Sequence, residues 1–256
     1  MTLERAPALV TGAARRIGRH ISQALAARGH AVVVHYNRSQ QDAETLVEDI
    51  RGAGGRAVAV GADLRDTSAT DALLASAAEA LGRPVQILIN NASVFAYDRA
   101  PKAGRSGWDS HMDVNAYAPF SLTQQLARGL APDQPGLAVN IIDQRVWRLT
   151  PEFATYTLSK SVLWTMTKTL AQALAPSVRV MAIGPGPVLA SVHQDSESFC
   201  AEAQAVPLQR GPALDEITEA VAFCIAMPSM TGQMLALDGG QHLAWQTPDV
   251  SQGRKA

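Results

Sequence analysis

Short runs dense in Val, Ile and Leu alternate along the chain with longer Ala-rich stretches whose apolar residues recur at helical spacing. That alternation predicts βαβ units and a parallel sheet. The apolar runs cover residues 8–10, 31–36, 57–60, 87–90, 138–142, 178–183 and 234–237. They show little polar alternation, as strands covered on both faces require. Helices are expected over 16–27, 41–53, 68–81, 106–130, 154–174 and 215–226. Gly29, Gly54 and Gly55 stand just past the first two, and Asp66 or Thr67 can cap the third. The pattern predicts an α/β fold, a doubly wound parallel sheet of about seven strands, as one domain over residues 1–245. Residues 246–256 are polar and expected as a flexible tail. The stretch 185–212, rich in Pro, Ser and Gln, reads as irregular and as a candidate lid or binding loop.

Composition narrows the class. With 47% hydrophobic and 18% charged residues, the 256-residue chain is expected to be a soluble globular protein. A net charge of −1 gives no electrostatic ground for nucleic acid or a membrane surface as partner. No apolar run reaches the roughly 20 residues of a spanning helix. The N-terminus lacks the apolar core of a signal peptide, so the expected location is cytoplasmic. Cys200 and Cys224 form no disulfide framework and match no metal spacing; both are expected as buried free thiols. The six histidines form no metal-like cluster and are read as structural or exposed.

The first strand runs straight into Thr11-Gly12-Ala13-Ala14-Arg15-Arg16-Ile17-Gly18 and then a helix. Gly12 allows a tight turn, Ala13 and Ala14 leave room for a pyrophosphate, and Gly18 lets helix and strand pack closely. The spacing is TGxxxxxG, not GxGxxG. After the second strand the chain reads His35-Tyr36-Asn37-Arg38-Ser39. An NAD site wants a carboxylate there to accept from the ribose 2′-hydroxyl. Arg38 can instead fork onto a 2′-phosphate, with Ser39 as a further donor and Arg15 as a second positive charge. NADP(H) is the cofactor this favours.

Tyr156 and Lys160 lie four apart in a helical stretch, so both project from one face. An ammonium beside a phenol of pKa ~10 favours the phenolate, and a drop of ~2–3 units would make Tyr156 a proton donor or acceptor near neutrality.

On these motifs the chain resembles the short-chain dehydrogenase/reductase family from Thr11 to about Gly240. Further shared pieces are Asp63-Leu64, Asn90-Asn91-Ala92-Ser93, Asn115, Gly184-Pro185-Gly186 and Asp238-Gly239-Gly240. The resemblance implies a Rossmann-type fold with Asp63 at the adenine and Asn91 along the cofactor. It places Lys160 on the nicotinamide ribose, and Asn115 holding a water in the proton relay. Leu64, Ala92, Ser93, Pro185 and Gly186 complete the implied cofactor wall. The helical stretches 106–130 and 154–174 resemble those that pair subunits in the family, which implies a homotetramer.

Two departures refine the resemblance. Arg16 replaces the middle glycine of the turn, and Asp143 replaces the serine usually found 13 residues before the tyrosine. With HYxRS and NNASxF, these resemble the pteridine reductase and dihydromonapterin reductase branch. There the residues matching Arg16 and Phe95 hold the pterin, Ser93 lies beside it, and Asp143 with Tyr156 would protonate ring nitrogens. The bland readings are Phe95 as a core aromatic, Arg16 as a phosphate contact only and Asp143 as a strand-end cap. Trp108, Trp147 and Trp164 line either the substrate mouth or a subunit face. The expected function is NADPH-dependent reduction of a dihydropterin-like C=N bond. The alternatives are a carbonyl reductase acting on a ketone or 3-oxoacyl thioester, and a regulator that binds NADP(H) without turnover.

Overall fold

The computed structural model describes residues 3–190 and 194–245; the tail expected at 246–256 lies outside them. Seven strands, β1 (Ala8–Val10), β2 (Ala31–Tyr36), β3 (Arg56–Gly61), β4 (Ile87–Asn90), β5 (Gly136–Ile141), β6 (Val178–Pro185) and β7 (Met234–Leu237), form one sheet. Every pairing is parallel and the order is β3-β2-β1-β4-β5-β6-β7. The helices are α1 (Arg16–Ala27), α2 (Gln40–Gly52), α3 (Thr67–Leu81), α4 (Arg105–Met112), α5 (Ala118–Gly129), α6 (Ala154–Leu174), α7 (Ser196–Gln204) and α8 (Leu214–Ala226).

Alternate residues of each strand face opposite sides, and both sides are covered. Val10, Val32, Val34, Ile87, Ile89 and Val139 enter one core with Ile21 and Leu25 of α1, Leu46 of α2 and Ile217 of α8. Leu9, Val33, Leu88, Ala138 and Val180 enter the other, with Leu73 of α3, Leu122 of α5 and Leu170 of α6. Each of the Val, Leu and Ile side chains contributes about 1.5–3 kcal/mol by leaving water. Asp66 caps α3, its carboxylate accepting from Ser68 N and Ala69 N.

Three expectations need correction. The helix expected over 106–130 is α4, one π turn over Asp113–Tyr117, and α5. Pro119 has no N–H for the carbonyl four residues back, that of Asn115, and the ladder shifts by one residue there. The stretch 185–212 is not wholly irregular, for it contains α7, opened by the Asp195 carboxylate accepting from Ser198 N. Cys224 is buried, but Cys200 lies exposed on α7, which buries none of its residues.

The chain builds the sheet outward from β1 in one direction and then returns to place β4 on its other side. A crevice opens at the carboxyl ends of β1 and β4, where such folds bind ligands. Close packing of α1 against that crevice depends on Gly18: a Cβ there would meet Gly12 O at 2.4 Å and Asn91 Nδ2 at 2.6 Å. In α4, Gly107 has open space around the same position. Gly18→Ala is expected to lower urea-unfolding stability by about 1–3 kcal/mol through overpacking. Gly107→Ala should raise it by up to about 1 kcal/mol. Equal gains in both would show that the turn has slack.

Candidate active site

A cleft of about 930 Å³ runs from the turn after β1 to Tyr156. Every residue expected at the cofactor or substrate lines it, from Gly12, Arg15, Arg16, Ile17 and Gly18 through Tyr36, Asn37, Arg38 and Ser39 to Asp63, Leu64, Asn91, Ala92, Ser93 and Phe95. Asp143, Tyr156, Lys160, Pro185 and Gly186 complete it, while Asn115 is fully buried outside the lining.

At one end, Gly12 takes φ 60° and gives its N–H to His35 Nδ1 at 3.0 Å. His35 Nε2 then donates to Ala62 O at 3.1 Å. Burial pushes this imidazole down to about 4, so it is neutral at physiological pH and its Nδ1 lone pair is available to the turn. The N-terminus of α1 carries no side-chain cap, and Arg16, Ile17 and Gly18 line the cleft there. Uncapped first-turn N–H groups facing a cleft fit a pyrophosphate. The residues present therefore fit a nicotinamide dinucleotide.

Arg16 occupies the left-handed region at φ 53°, a conformation a glycine would take without strain. Its guanidinium donates to Leu189 O and Ala190 O, at 3.3 and 2.8 Å, in the segment after β6. Arg15 is less available than its charge suggests, because Asp42 in the first turn of α2 pairs with it at 2.6 Å. Asp63 is forked by Arg65, which holds its carboxyl down at about 2; Arg38 adds to that pull.

At the other end, Tyr156 Oη donates to Asp143 Oδ2 at 2.9 Å, and Asp143 Oδ1 accepts from Arg145 N at 2.8 Å. Lys160 is 2% exposed and gives Nζ–H to Ile141 O at 2.9 Å. Burial raises Asp143 above the usual carboxylate range and lowers Lys160 to about 8. The expectation that Lys160 pulls the Tyr156 phenol down is corrected. Burial, then the Asp143 carboxylate, drives it up. Asn115 Nδ2 donates to Val94 O and Ser159 Oγ, and Oδ1 accepts from Val94 N. Phe95 stacks on Phe153 with centroids 4.4 Å apart and meets the Tyr156 ring edge-on at 4.7 Å. Arg145 lies over the Phe153 ring at 5.2 Å.

Sequence reasoning named His35 only within the HYxRS stretch, without its role at the turn, and passed over Arg65, Arg145 and Phe153. His35 was legible as a polar residue inside an apolar strand; Phe153 carried no signal. Among the described residues, no helix is long and apolar enough to cross a membrane.

Residues 6–200 match the model of the short chain dehydrogenase family. The chain belongs to that family. The chain is similar to the Brucella canis FolM alternative dihydrofolate reductase 1, solved in complex with NADP. It superposes with TM-score 0.94 at 46% identity, over 98% of this chain and 99% of that one. L-xylulose reductase of Bos taurus is 34% identical over 241 residues, 91% of this chain and 95% of the relative. The 3-oxoacyl-[acyl-carrier-protein] reductase of Synechocystis sp. is 31% identical over 239 residues, with the same coverages.

The His35 link gives a pH test. Its lowered value means the neutral ring stabilises the fold fully above the ordinary 6.5, and that contribution is lost as pH falls toward about 4. An asparagine can place an acceptor where Nδ1 stands and does not titrate. His35→Asn is therefore expected to flatten the acid side of the Tm profile between those limits. An unchanged slope would show that the turn does not depend on this lone pair.

Proposed function

We propose that the chain is an NADPH-dependent reductase of a dihydropterin-like C=N bond. The observation that carries this reading is the part-buried hydrogen bond between Tyr156 and Asp143 in the cleft. An ionised carboxylate only accepts, but a carboxyl whose pKa is raised by burial can hold a proton and donate it. A nitrogen-rich ring takes up such a proton, whereas a simple ketone is served by an alcohol.

Arg38 and Ser39 would hold the 2′-phosphate, the α1 N-terminus the pyrophosphate, and Asp63 the adenine end. When bound, the cofactor supplies hydride to the substrate carbon. The residues of the chain do the rest. Phe95 and Arg16 hold the ring, with Ser93 at its edge. Tyr156, in contact with Asp143, gives a proton to the ring nitrogen as that nitrogen gains the electron pair of the C=N bond. Lys160 holds positive charge beside the pair, and Asn115 connects the relay to the loop after β4. The NADP complex of the 46% identical relative and its reductase name support the same reading. The carbonyl-reductase names of the more distant relatives keep the ketone alternative as the contrasting outcome. Tyr117, Leu158 and Val162 are exposed apolar residues on or beside α5 and α6, in keeping with a homotetramer.

The deciding experiment follows NADPH oxidation with a dihydropterin between mildly acid and alkaline pH. Asp143 is raised, so its acid form persists to higher pH than an ordinary carboxyl, and turnover should fall as pH rises through that value. Loss of the Lys160 charge near 8 acts in the same direction. Tyr156→Phe should cut kcat by roughly 10²–10⁴-fold with NADPH still bound. Asp143→Ser should harm pterin turnover more than any ketone turnover. Activity on ketones alone would move the chain to the carbonyl reductases. Arg38→Asp should weaken NADPH far more than NADH, and equal weakening would refute the 2′-phosphate contact.

A further inference from the structure

Helix α6 carries Tyr156 in its first turn, yet the residue preceding it, Phe153, offers no side-chain cap and takes φ 54°. The capping comes from elsewhere in the chain. Asp98, in the loop after β4, accepts from Thr155 N at 3.1 Å and from Thr155 Oγ1. Its backbone carbonyl accepts from Phe153 N at 2.9 Å. A carboxylate at a helix N-terminus also complements the helix dipole. A serine or aspartate at position 153 would have served the helix equally well. A cap drawn from that loop, unlike a local one, adds a tie between α6 and the segment that carries Phe95.

His111 of α4 makes a second tie. It is 1% exposed; its Nε2 accepts from Ala96 N at 3.2 Å, which puts the ring proton on Nδ1. Nδ1 then donates to Thr155 Oγ1 at 2.7 Å, and that hydroxyl passes its own proton to Asp98. The chain of donors closes with a neutral imidazole, which burial favours. None of these three side chains lines the cleft. Ala96 follows Phe95 and Thr155 precedes Tyr156, while the His111 ring meets the Tyr156 ring edge-on at 6.0 Å.

We propose that His111, Thr155 and Asp98 are positioning residues that set the distance between the Phe95 platform and the Tyr156 proton donor. The proposal rests on the reading of Tyr156 and Phe95 given under the proposed function. The network touches neither the turn after β1 nor Arg38, so NADPH affinity should be independent of it.

Two substitutions divide the network. An asparagine amide reaches the place of Nδ1, and a glutamine amide that of Nε2. His111→Asn should keep the link to Thr155 and release Ala96, raising KM for the dihydropterin about tenfold with kcat nearly retained. His111→Gln should keep Ala96 and release Thr155, lowering kcat about tenfold with KM nearly retained; small misplacements of reacting groups have effects of this size or more. Thr155→Val should lower kcat, and Thr155→Ser should restore it. The Thr155 pair decides the matter if the His111 variants do not fold. A lowered Tm with kcat and KM both unchanged well below it, or equal losses in both parameters, would overturn the proposal. Turnover retained by Tyr156→Phe would instead overturn the underlying reading. An inactive Tyr156→Phe beside fully active His111 and Thr155 variants would remove only the positioning role.

Discussion

The junction of β1 and β4 is the constraint on which the molecule depends. Thr11 Oγ1 accepts from Asn91 N and Ala92 N, each at 3.0 Å, and donates to Ile89 O. Asn91 returns its side-chain amide to Thr11 O and Gly12 O. Each bond is worth about 1 kcal/mol net, but a buried partner left unpaired costs about 1–3 kcal/mol, so the set holds or fails as a group. It fixes where the two strand ends part, and the cleft is that parting. The turn after β1 leaves from one side of it, and the loop bearing Ser93, Phe95 and Asp98 leaves from the other.

Electrostatics at the far end of the cleft is a contest decided by distance and burial. The Lys160 ammonium stands 5.8 Å from the Tyr156 ring centre, where a charge acts with about 3 kcal/mol at an effective dielectric near 20. The Asp143 carboxylate lies 2.9 Å from the Tyr156 Oη itself and is of opposite sign. Burial disfavours the phenolate further. The lysine alone therefore cannot ionise the phenol here, and the three groups behave as a coupled set with one shared proton inventory. A proton given up by this set leaves a phenolate beside a carboxylate, and so a repulsion, unless Asp143 is itself protonated, which is why its raised pKa matters.

Much of this was legible along the chain. The strands were found to within two residues because doubly covered strands leave dense apolar runs. The helices α1 and α6 were found at their observed ends because their apolar spacing is unbroken. The π turn was missed because one inserted residue barely disturbs a pattern read in threes and fours; Pro119 was the available clue. The helix α7 was missed because it buries nothing, so no apolar stripe marks it, and the same fact exposes Cys200. Among the site residues, those inside a motif were found. The partners whose role depends on how side chains meet were not: Asp98 meets Thr155 across 57 positions, and Arg65, though next to a motif, matters only because its side chain bends back to Asp63.

The end of β2 divides two duties between neighbouring positions. His35 is buried and braces the turn through Gly12, whereas Arg38 and Ser39, past the strand end, line the open cleft. Under the proposed reading, shape and selectivity would be written in separate places. An exchange of residues 37–39 would then change which ribose is accepted and leave the brace at His35 untouched. The same separation would let a lineage drift between the two nicotinamide currencies by changes at one strand tip, with no need to rebuild the turn proposed to grip both.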